Sequence, residues 1–243
     1  MYMGTGYYFD WTYLLVIVGV ILCVIASANV KGTFARYARV RSGLGLTGAQ
    51  AAQRILEMNG IYDVRISHVS GELTDHYDPR TKVVNLSDSV YNQTSVAAIG
   101  VAAHECGHVI QHAKGYAPIT WRTALVPVAN FGSTISWPLI LLGLFLGAGY
   151  SGGPTIGSFL ITLGIWAFSF SVLFQLVTLP VEFNASHRAM IQLREGRMLS
   201  DEELKKTRKV LTAAALTYVA GAASALLQLL RLILIARSHS DDE

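Results

Sequence analysis

Hydrophobic and polar residues are strongly segregated along this chain. No Asp, Glu, Lys or Arg occurs in three blocks, at residues 11–30, 123–181 and 210–230, which contain 20, 59 and 21 residues. A helix needs about 20 apolar residues to cross the hydrocarbon core of a bilayer. The first and third blocks therefore predict one membrane-spanning helix each, and the middle block predicts two helices joined by a turn.

The segment between the first two predicted spans, residues 31–122, has the pattern of a small polar domain. Thr47 followed by Gln50 is a capping box that opens a helix, and Gly60 closes it. Strands are predicted after this helix at residues 62–69, 73–77 and 82–86, the last two around a turn at 78–81. We expect a short antiparallel sheet here, whose strand order the sequence does not determine.

Composition and charge place the protein in a membrane. The chain is 52% hydrophobic and 14% charged, with a mean hydropathy of +0.41, whereas soluble domains carry about 25% charged residues. The net charge of +3 is modest and requires no nucleic-acid partner. The basic residues are concentrated at 31–122 and 188–209. Because Lys and Arg near span ends favour the cytoplasmic side, these two segments are predicted to be cytoplasmic, in a multi-pass protein of the plasma (inner) membrane.

The first span has an alternative interpretation as a signal peptide, because Ala26-Ser27-Ala28 resembles a cleavage site. Its leader contains no Lys or Arg and its apolar run is too long for a signal peptide, so an uncleaved anchor is favoured. Cys23 in this span and Cys106 in the polar domain are not expected to pair, which agrees with a reducing compartment. An aromatic belt at the outer interface is predicted from Tyr7, Tyr8, Phe9, Trp11 and Tyr13.

A second helix of the polar domain carries the candidate chemistry. Thr94 or Ser95 can cap this helix, which extends toward Gly115 and contains the sequence HECGH at residues 104–108. Residues four apart lie on one face of a helix, so the imidazoles of this HExxH motif can reach a single zinc ion. The Glu beside them is then placed to accept a proton from water at the metal.

Two other interpretations of these histidines are less favourable. His104 and His108 can simply pack or face solvent, but two imidazoles and a carboxylate are costly on so apolar a helix unless they have a partner. His112 continues the spacing of four, yet it lies about 12 Å along the helix from His104, too far for one tetrahedral ion. His112 is expected near the site but not as a ligand.

A catalytic zinc site needs a third protein ligand, which must come from another helix. The middle apolar block leaves one side of the membrane and returns to it, and Glu182 is the first acidic residue after that return. The alternative is that Glu182 is a juxtamembrane charge that anchors a helix end. Glu195, Glu202 and Glu203 lie among basic residues and are expected on solvated helix faces.

The chain resembles a known family over nearly its whole length, the YugP-like neutral zinc metallopeptidases, which are bacterial integral membrane proteins. The resemblance rests on the segments DHYDPR at 75–80, 98–108 with the HExxH motif, and EFNAS at 182–186. The last is similar to the E-[FY]-x-A-D stretch of HtpX-type and CAAX-processing proteases, whose Glu is the third zinc ligand. The resemblance implies His104, His108 and Glu182 as ligands and Glu105 as the base. Ser186 stands where those distant relatives have Asp.

These observations predict a mainly α integral membrane protein with four transmembrane helices and a small α+β zincin-like cytoplasmic domain. The expected parts are an outer amino terminus with the first helix at 1–30, the cytoplasmic domain at 31–120, two transmembrane helices at 121–181, a cytoplasmic segment with the third ligand at 182–209, and the fourth helix with an outer tail at 210–243.

The predicted function is that of a zinc-dependent endopeptidase, with one zinc ion, acting at the cytoplasmic face on membrane proteins or their tails. The expected partners are peptide or membrane-protein substrates and membrane lipids, while the oligomeric state is not determined by the sequence. Glu105 would deprotonate the attacking water and pass the proton to the leaving amine.

Substrate-binding residues are less sharply indicated. An extended segment formed by Lys82, Val83, Val84, Asn85 and Leu86 can bind substrate as an added strand, and equally it can be an ordinary edge strand. The residue that stabilises the transition state is not identified. His187 and Arg188 are candidates because they follow Glu182, although a contact with lipid headgroups is favoured for Arg188.

Two other classes of function remain open. A catalytically silent scaffold could keep a structural zinc, but such a site has no use for Glu105. A zinc transporter or sensor would need ionisable residues in the middle of its spans. The predicted spans contain only uncharged polar groups, such as Asn130 and Gln175.

Overall fold

The computed structural model describes residues 10–147 and 155–241. The predictions for residues 7–9, for the turn near Ser151 and for the end of the tail concern residues outside these ranges. Six helices and three strands follow one another in the described chain: α1 Tyr13–Tyr37, α2 Gly48–Met58, β1 Arg65–Val69, β2 His76–Asp78, β3 Val83–Ser87, α3 Val96–Ala113, α4 Ala117–Gly147, α5 Ile156–Glu195 and α6 Asp201–Asp241.

Four of the helices are long and apolar enough to cross a membrane. The candidate spans are Tyr13–Tyr37, Ala117–Leu146, Ile156–Glu195 and Asp201–Arg237. Only 11% to 22% of the residues in their most apolar windows are buried, so most of this apolar surface has no protein partner in the described chain. Lipid is the environment that such a surface requires. The prediction of four membrane-spanning helices is confirmed in length and composition.

The three strands form one mixed sheet in the order β1-β3-β2. β2 and β3 make an antiparallel hairpin, as the turn predicted, but β1 pairs with β3 in parallel. The prediction of a fully antiparallel sheet is therefore wrong. After β1 the chain crosses to the opposite edge of the sheet, where it forms β2. It then turns back, and β3 lies between β1 and β2 as the central strand.

Because β3 is central, it has no free edge for a substrate. Both of its sides already pair, with β1 on one side and β2 on the other. The prediction that Lys82 to Leu86 bind substrate as an added strand is wrong for this reason. Lys82 instead pairs with Asp63 at 2.5 Å, and Val84 and Leu86 are fully buried in the core.

The chain divides into two compact units. Among the described residues, the first contains 10–24, 126–147, 155–174 and 220–241. Within it, α4 and α5 lie so close together that the carbonyl oxygen of Ala167 occupies the space that a side chain at Gly132 would need. Close approach at small residues is typical of helix pairs in membranes.

The second unit contains residues 25–125 and 175–219 and holds the polar domain. Its core includes the fully buried Ile55 and Leu56 of α2, Ile99 and Ile110 of α3, and Leu193 of α5. Both predicted caps are confirmed: Thr47 and Gln50 form the capping box of α2, and Ser95 accepts from Ala98 N at the start of α3. α3 is thus fixed at its start and buried along most of its length.

Candidate metal centre

Helix α3 carries the HExxH motif and packs directly against α5. The two backbones come close at Gly107, inside the motif, where a Cβ atom would lie 3.0 Å from the carbonyl carbon and 3.1 Å from the Cα of Ala185. Only glycine leaves room for the α5 backbone at this point. Gly107 therefore sets the spacing between the two helices that carry the candidate ligands.

The structure brings His104, His108 and Glu182 together. Each offers a ligand atom within 4.8 Å of the others. Oε2 of Glu182 lies 3.2 Å from Nε2 of His104 and 3.6 Å from Nε2 of His108. Glu182 is only 2% exposed, and it is the only one of the four candidate carboxylates that reaches the imidazoles in the described part of the chain.

The donor set fits zinc. Ligand atoms about 2.0 to 2.1 Å from a tetrahedral ion are roughly 3.3 Å apart, close to the two distances between Glu182 and the imidazoles. Two imidazoles with one carboxylate are a donor set of catalytic zinc sites. A carboxylate this deeply buried also needs positive charge beside it. Arg122 supplies some, with Nη1 3.7 Å from Oε1 of Glu182.

Hydrogen bonds orient both imidazoles toward Glu182. Nδ1 of His108 lies 3.0 Å from Oε1 of Gln111. The Gln111 amide nitrogen donates to Val181 O at 2.7 Å and to Asn184 Oδ1 at 3.1 Å, which fixes the amide oxygen as an acceptor. Nδ1 of His108 must then donate to it, and Nε2 is left free to bind a metal.

Ser186 orients the imidazole of His104 in the same way. Its hydroxyl oxygen lies 3.1 Å from Nδ1 of His104. The resemblance described above places Ser186 at a position where similar proteases have Asp. In this chain the serine hydroxyl itself contacts the histidine, so no carboxylate is needed at that position to hold the ring.

Burial and neighbouring charges shift the pKa values of several groups around the centre. Burial lowers the pKa of His108, but the hydrogen bond with Glu182 and the charges of Glu105 and Glu182 outweigh burial and raise it. Burial and the neighbouring His108 and Arg122 lower the pKa of His112. Burial also raises the pKa of the Cys106 thiol, so this cysteine, which is free, is kept protonated.

A cavity of about 220 Å³ opens beside the motif. Glu105, 8% exposed, lines it together with His104. Tyr218 of α6 also lines it. The rest of the wall is mostly apolar and comes from α1, α3, α6 and the loop before β2: Val30, Phe34, Leu73, Val101, Val210 and Leu211.

Asp75 is the second carboxylate on the cavity wall. Its two oxygens accept from the Ser87 backbone N–H and from the Ser87 hydroxyl, both at 2.8 Å. Burial raises the pKa of Asp75 although these hydrogen bonds lower it. Asp75 therefore ties the loop before β2 to the end of β3 and fixes the rim of the cavity.

Several sequence candidates lie elsewhere in the described chain. His112 is not in the cluster and packs edge-on against Tyr77, with ring centroids 5.6 Å apart. His187 is exposed, and neither it nor Arg188 lines the cavity. Arg188 donates to Asn184 Oδ1 at 2.7 Å and lies over the Tyr116 ring.

Of the other three carboxylates, Glu195 and Glu202 are exposed, as predicted. Glu203 differs, because it accepts from Ser200 N at the start of α6 and from Gly43 N. Its function is to cap α6 and hold the chain that follows α1.

The sequence assigned no role at the centre to Gln111, Ser186, Arg122 or Tyr218. Gln111 had a signal, since it follows His108 by three residues and so shares its helix face. The other three lie on different helices from the motif, and only the fold shows that they meet it.

Comparison with known proteins agrees with this site. Residues 12–237 match the model of a family described as "Putative neutral zinc metallopeptidase". The chain is also 48% identical, over 219 residues, to "Putative membrane protease YugP" of Bacillus subtilis (strain 168), with 89% of this chain and 92% of that protein covered. No solved structure matches the chain significantly.

Proposed function

The chain belongs to the neutral zinc metallopeptidase family, and from this premise we propose that it hydrolyses peptide bonds at the cytoplasmic face of the membrane, with His104, His108 and Glu182 as ligands of one zinc ion. The observation that carries the proposal is the convergence of two imidazole Nε2 atoms on the buried carboxylate of Glu182. Zinc, when bound there, supplies a Lewis acid that polarises the scissile carbonyl and makes water more acidic.

Glu105 is the proton carrier. It follows a ligand histidine in the chain and lines the cavity that a substrate must enter. A carboxylate there accepts a proton from the attacking water and then donates it to the leaving amine, as a general base and general acid. Among the described residues, the other carboxylate on the cavity wall is that of Asp75, and Ser87 already holds both of its oxygens.

Tyr218 is the group that we assign to the transition state. Its phenol shares the cavity with Glu105 and His104. A phenolic O–H is a donor that can hydrogen-bond the carbonyl oxygen as negative charge develops on it. This assignment replaces His187 and Arg188, neither of which lines the cavity.

The cavity also indicates how a substrate is held. Its apolar wall, which includes Phe34, Val101 and Leu211, favours an apolar side chain next to the scissile bond. The backbone of an extended substrate can pair with β2, which is an edge strand of the sheet and directly follows Asp75 at the cavity rim. Since α1 and α6 form part of the wall, membrane proteins and their tails are the substrates we propose.

Replacement of Glu105 by Gln tests the proposal. Purified Glu105→Gln protein should bind zinc as the unsubstituted protein does, by elemental analysis, but cleave an unfolded test protein about 10² to 10⁴ times more slowly, the usual contribution of a general acid or base. Glu195→Gln is the matched control, because Glu195 is exposed. Equal cleavage by Glu105→Gln would contradict the mechanism. Zinc bound by an inactive unsubstituted protein would favour the scaffold alternative.

A further inference from the structure

A second, larger depression lies in the same unit as the metal centre, on another face of α1 and α6. This groove has a volume of about 1000 Å³ and is lined by α1, the end of α5 and the first half of α6. On α1 it is lined by Asn29, Thr33, Arg36 and Tyr37, which lie on one helix face. None of its lining residues takes part in the metal centre.

The groove carries an excess of positive charge. Its lining includes two acidic residues, Asp201 and Glu202, and Lys205 pairs with Glu202 at 2.7 Å. Four of its basic side chains form no ion pair or hydrogen bond within the part of the chain that the structure describes: Arg36, Arg194, Arg208 and Lys209. All four are exposed, so they are available to an anionic ligand.

The groove also crosses the boundary between charged and apolar sequence on both of its main helices. The charge-free block of α1 ends just before Lys31, and that of α6 begins at Val210. The cations lie on the charged side of the boundary, whereas Ala213 and Leu216 extend the groove along the apolar side. A ligand that fills it must have an anionic end and an apolar end.

We propose that this groove binds one anionic phospholipid of the surrounding bilayer. The phosphate would be held by Arg36, Arg208 and Lys209, and an acyl chain would lie along Ala213 and Leu216. Basic pockets between transmembrane helices are recognised sites for anionic headgroups. A free phosphate would use only the cations, and a zwitterionic lipid would leave their net charge unbalanced.

The lipid would also contact the helices that shape the catalytic cavity. Val30 and Phe34 of α1 line the cavity, and their neighbours Asn29 and Thr33 line the groove. On α6, Leu211 lines the cavity and Thr212 the groove. Resting on the proposed peptidase function, we infer that an anionic lipid in the groove fixes the spacing of α1 and α6 and so raises the cleavage rate.

The test compares the unsubstituted protein with Arg208→Gln/Lys209→Gln in nanodiscs of phosphatidylcholine, with and without phosphatidylglycerol. After detergent extraction, native mass spectrometry counts the retained phosphatidylglycerol. Each basic residue near an anionic membrane surface contributes about fivefold in affinity, so the double variant should retain phosphatidylglycerol roughly thirtyfold more weakly. Arg54→Gln is the matched control, because Arg54 is an exposed cation on α2 outside the groove. Bound zinc shows that each variant is folded.

Equal retention by the double variant, or an equal loss with Arg54→Gln, would overturn the proposal. Displacement of the lipid by inorganic phosphate at equal concentration would also overturn it, because it would show a simple anion site. Lipid retention is measured without any substrate, so it can succeed or fail independently of the peptidase function. A cleavage rate that does not respond to phosphatidylglycerol while the lipid binds would reject only the link to the cavity.

Discussion

At the scale of single residues, Glu182 is unusual because its charged side chain is almost completely buried. Its carboxylate is 2% exposed and meets two imidazoles and Arg122. A charge buried to this degree is retained only when it is paired or binds a metal. The side chain therefore belongs to the centre, and the alternative of a juxtamembrane anchor is not supported.

Removal of this carboxylate should weaken zinc binding. Loss of a side chain that hydrogen-bonds a metal ligand typically costs 10- to 100-fold in metal affinity, so loss of a ligand itself in Glu182→Ala should cost more than about 100-fold. Zinc titration against a competing chelator measures this. Glu195→Ala and Glu202→Ala are controls, because both side chains are exposed, and they should bind zinc as the unsubstituted protein does. Unchanged affinity in Glu182→Ala would remove it from the ligand set.

The Tyr218 phenol should affect the rate and not the metal. Tyr218→Phe removes only the hydroxyl, so zinc content should be unchanged while kcat falls by about 10²-fold or more, the usual loss for one oxyanion donor. KM should change little, since the donor acts mainly in the transition state. A fall confined to KM would instead assign Tyr218 to substrate binding.

The sequence predicted the metal ligands but not the residues that orient them. The spacing of His104 and His108 predicted their common face, and charge-free sequence predicted that Glu182 returns to the same side; the structure places the three together. The positions of Gln111 and Ser186 can be read from the sequence, but their contacts with the imidazoles cannot. Their contacts with the imidazoles depend on the exact approach of α3 and α5, which spacing alone does not define.

At the scale of elements, the centre depends on one close approach between two helices. Gly107→Ala would place a methyl group against the backbone of Ala185, which cannot move aside as a flexible side chain would. α3 should shift away from α5, and the ligand distances should lengthen. We expect at least about a tenfold loss of zinc affinity and a lower thermal midpoint, in line with the about 1 to 3 kcal/mol that overpacking usually costs.

Gly32→Ala is the matched control for this substitution. Gly32 also lies within a helix, and a Cβ there would meet nothing within 4 Å. It should retain zinc and gain slightly in helix stability. If Gly107→Ala binds zinc as tightly as Gly32→Ala does, the spacing of the helices does not limit the site.

Helices were predicted correctly where the sequence signals lie next to the helix itself. The capping box of α2 and the Ser95 cap of α3 lie within a few residues of the helices that they start. The sheet was harder, because a strand of three residues such as β2 has little periodicity, and the parallel pairing of β1 with β3 depends on contacts remote in sequence. Because β3 is central, we propose β2 instead as the strand to which the substrate backbone adds.

At the scale of the whole molecule, the distribution of charge predicts the orientation in the membrane. Residues 31–122 and 182–209 should be cytoplasmic, and the turn near Ser151 should lie outside. Single cysteines at Ser67, which is exposed on β1, and at Ser151 can be tested with an impermeant thiol reagent on intact cells. Only residue 151 should label.

The unsubstituted chain is the control for this labelling, because Cys106 is buried and Cys23 lies within a span. Ser87 is unsuitable as a reporter, since it is buried and hydrogen-bonded to Asp75. Labelling at residue 67 without labelling at 151 would invert the orientation and place hydrolysis outside the cell.

The division of the ligands between α3 and α5 also governs when during synthesis the centre can exist. A ribosome that has completed α3 carries a chain with two of the three ligands, and Glu182 emerges only after the whole of α4 and much of α5. The centre can therefore be completed only after α4 and much of α5 have been translated. A chain that ends before Glu182 lacks one of the three ligands, so the proposed peptidase activity cannot begin until translation has passed through most of α5.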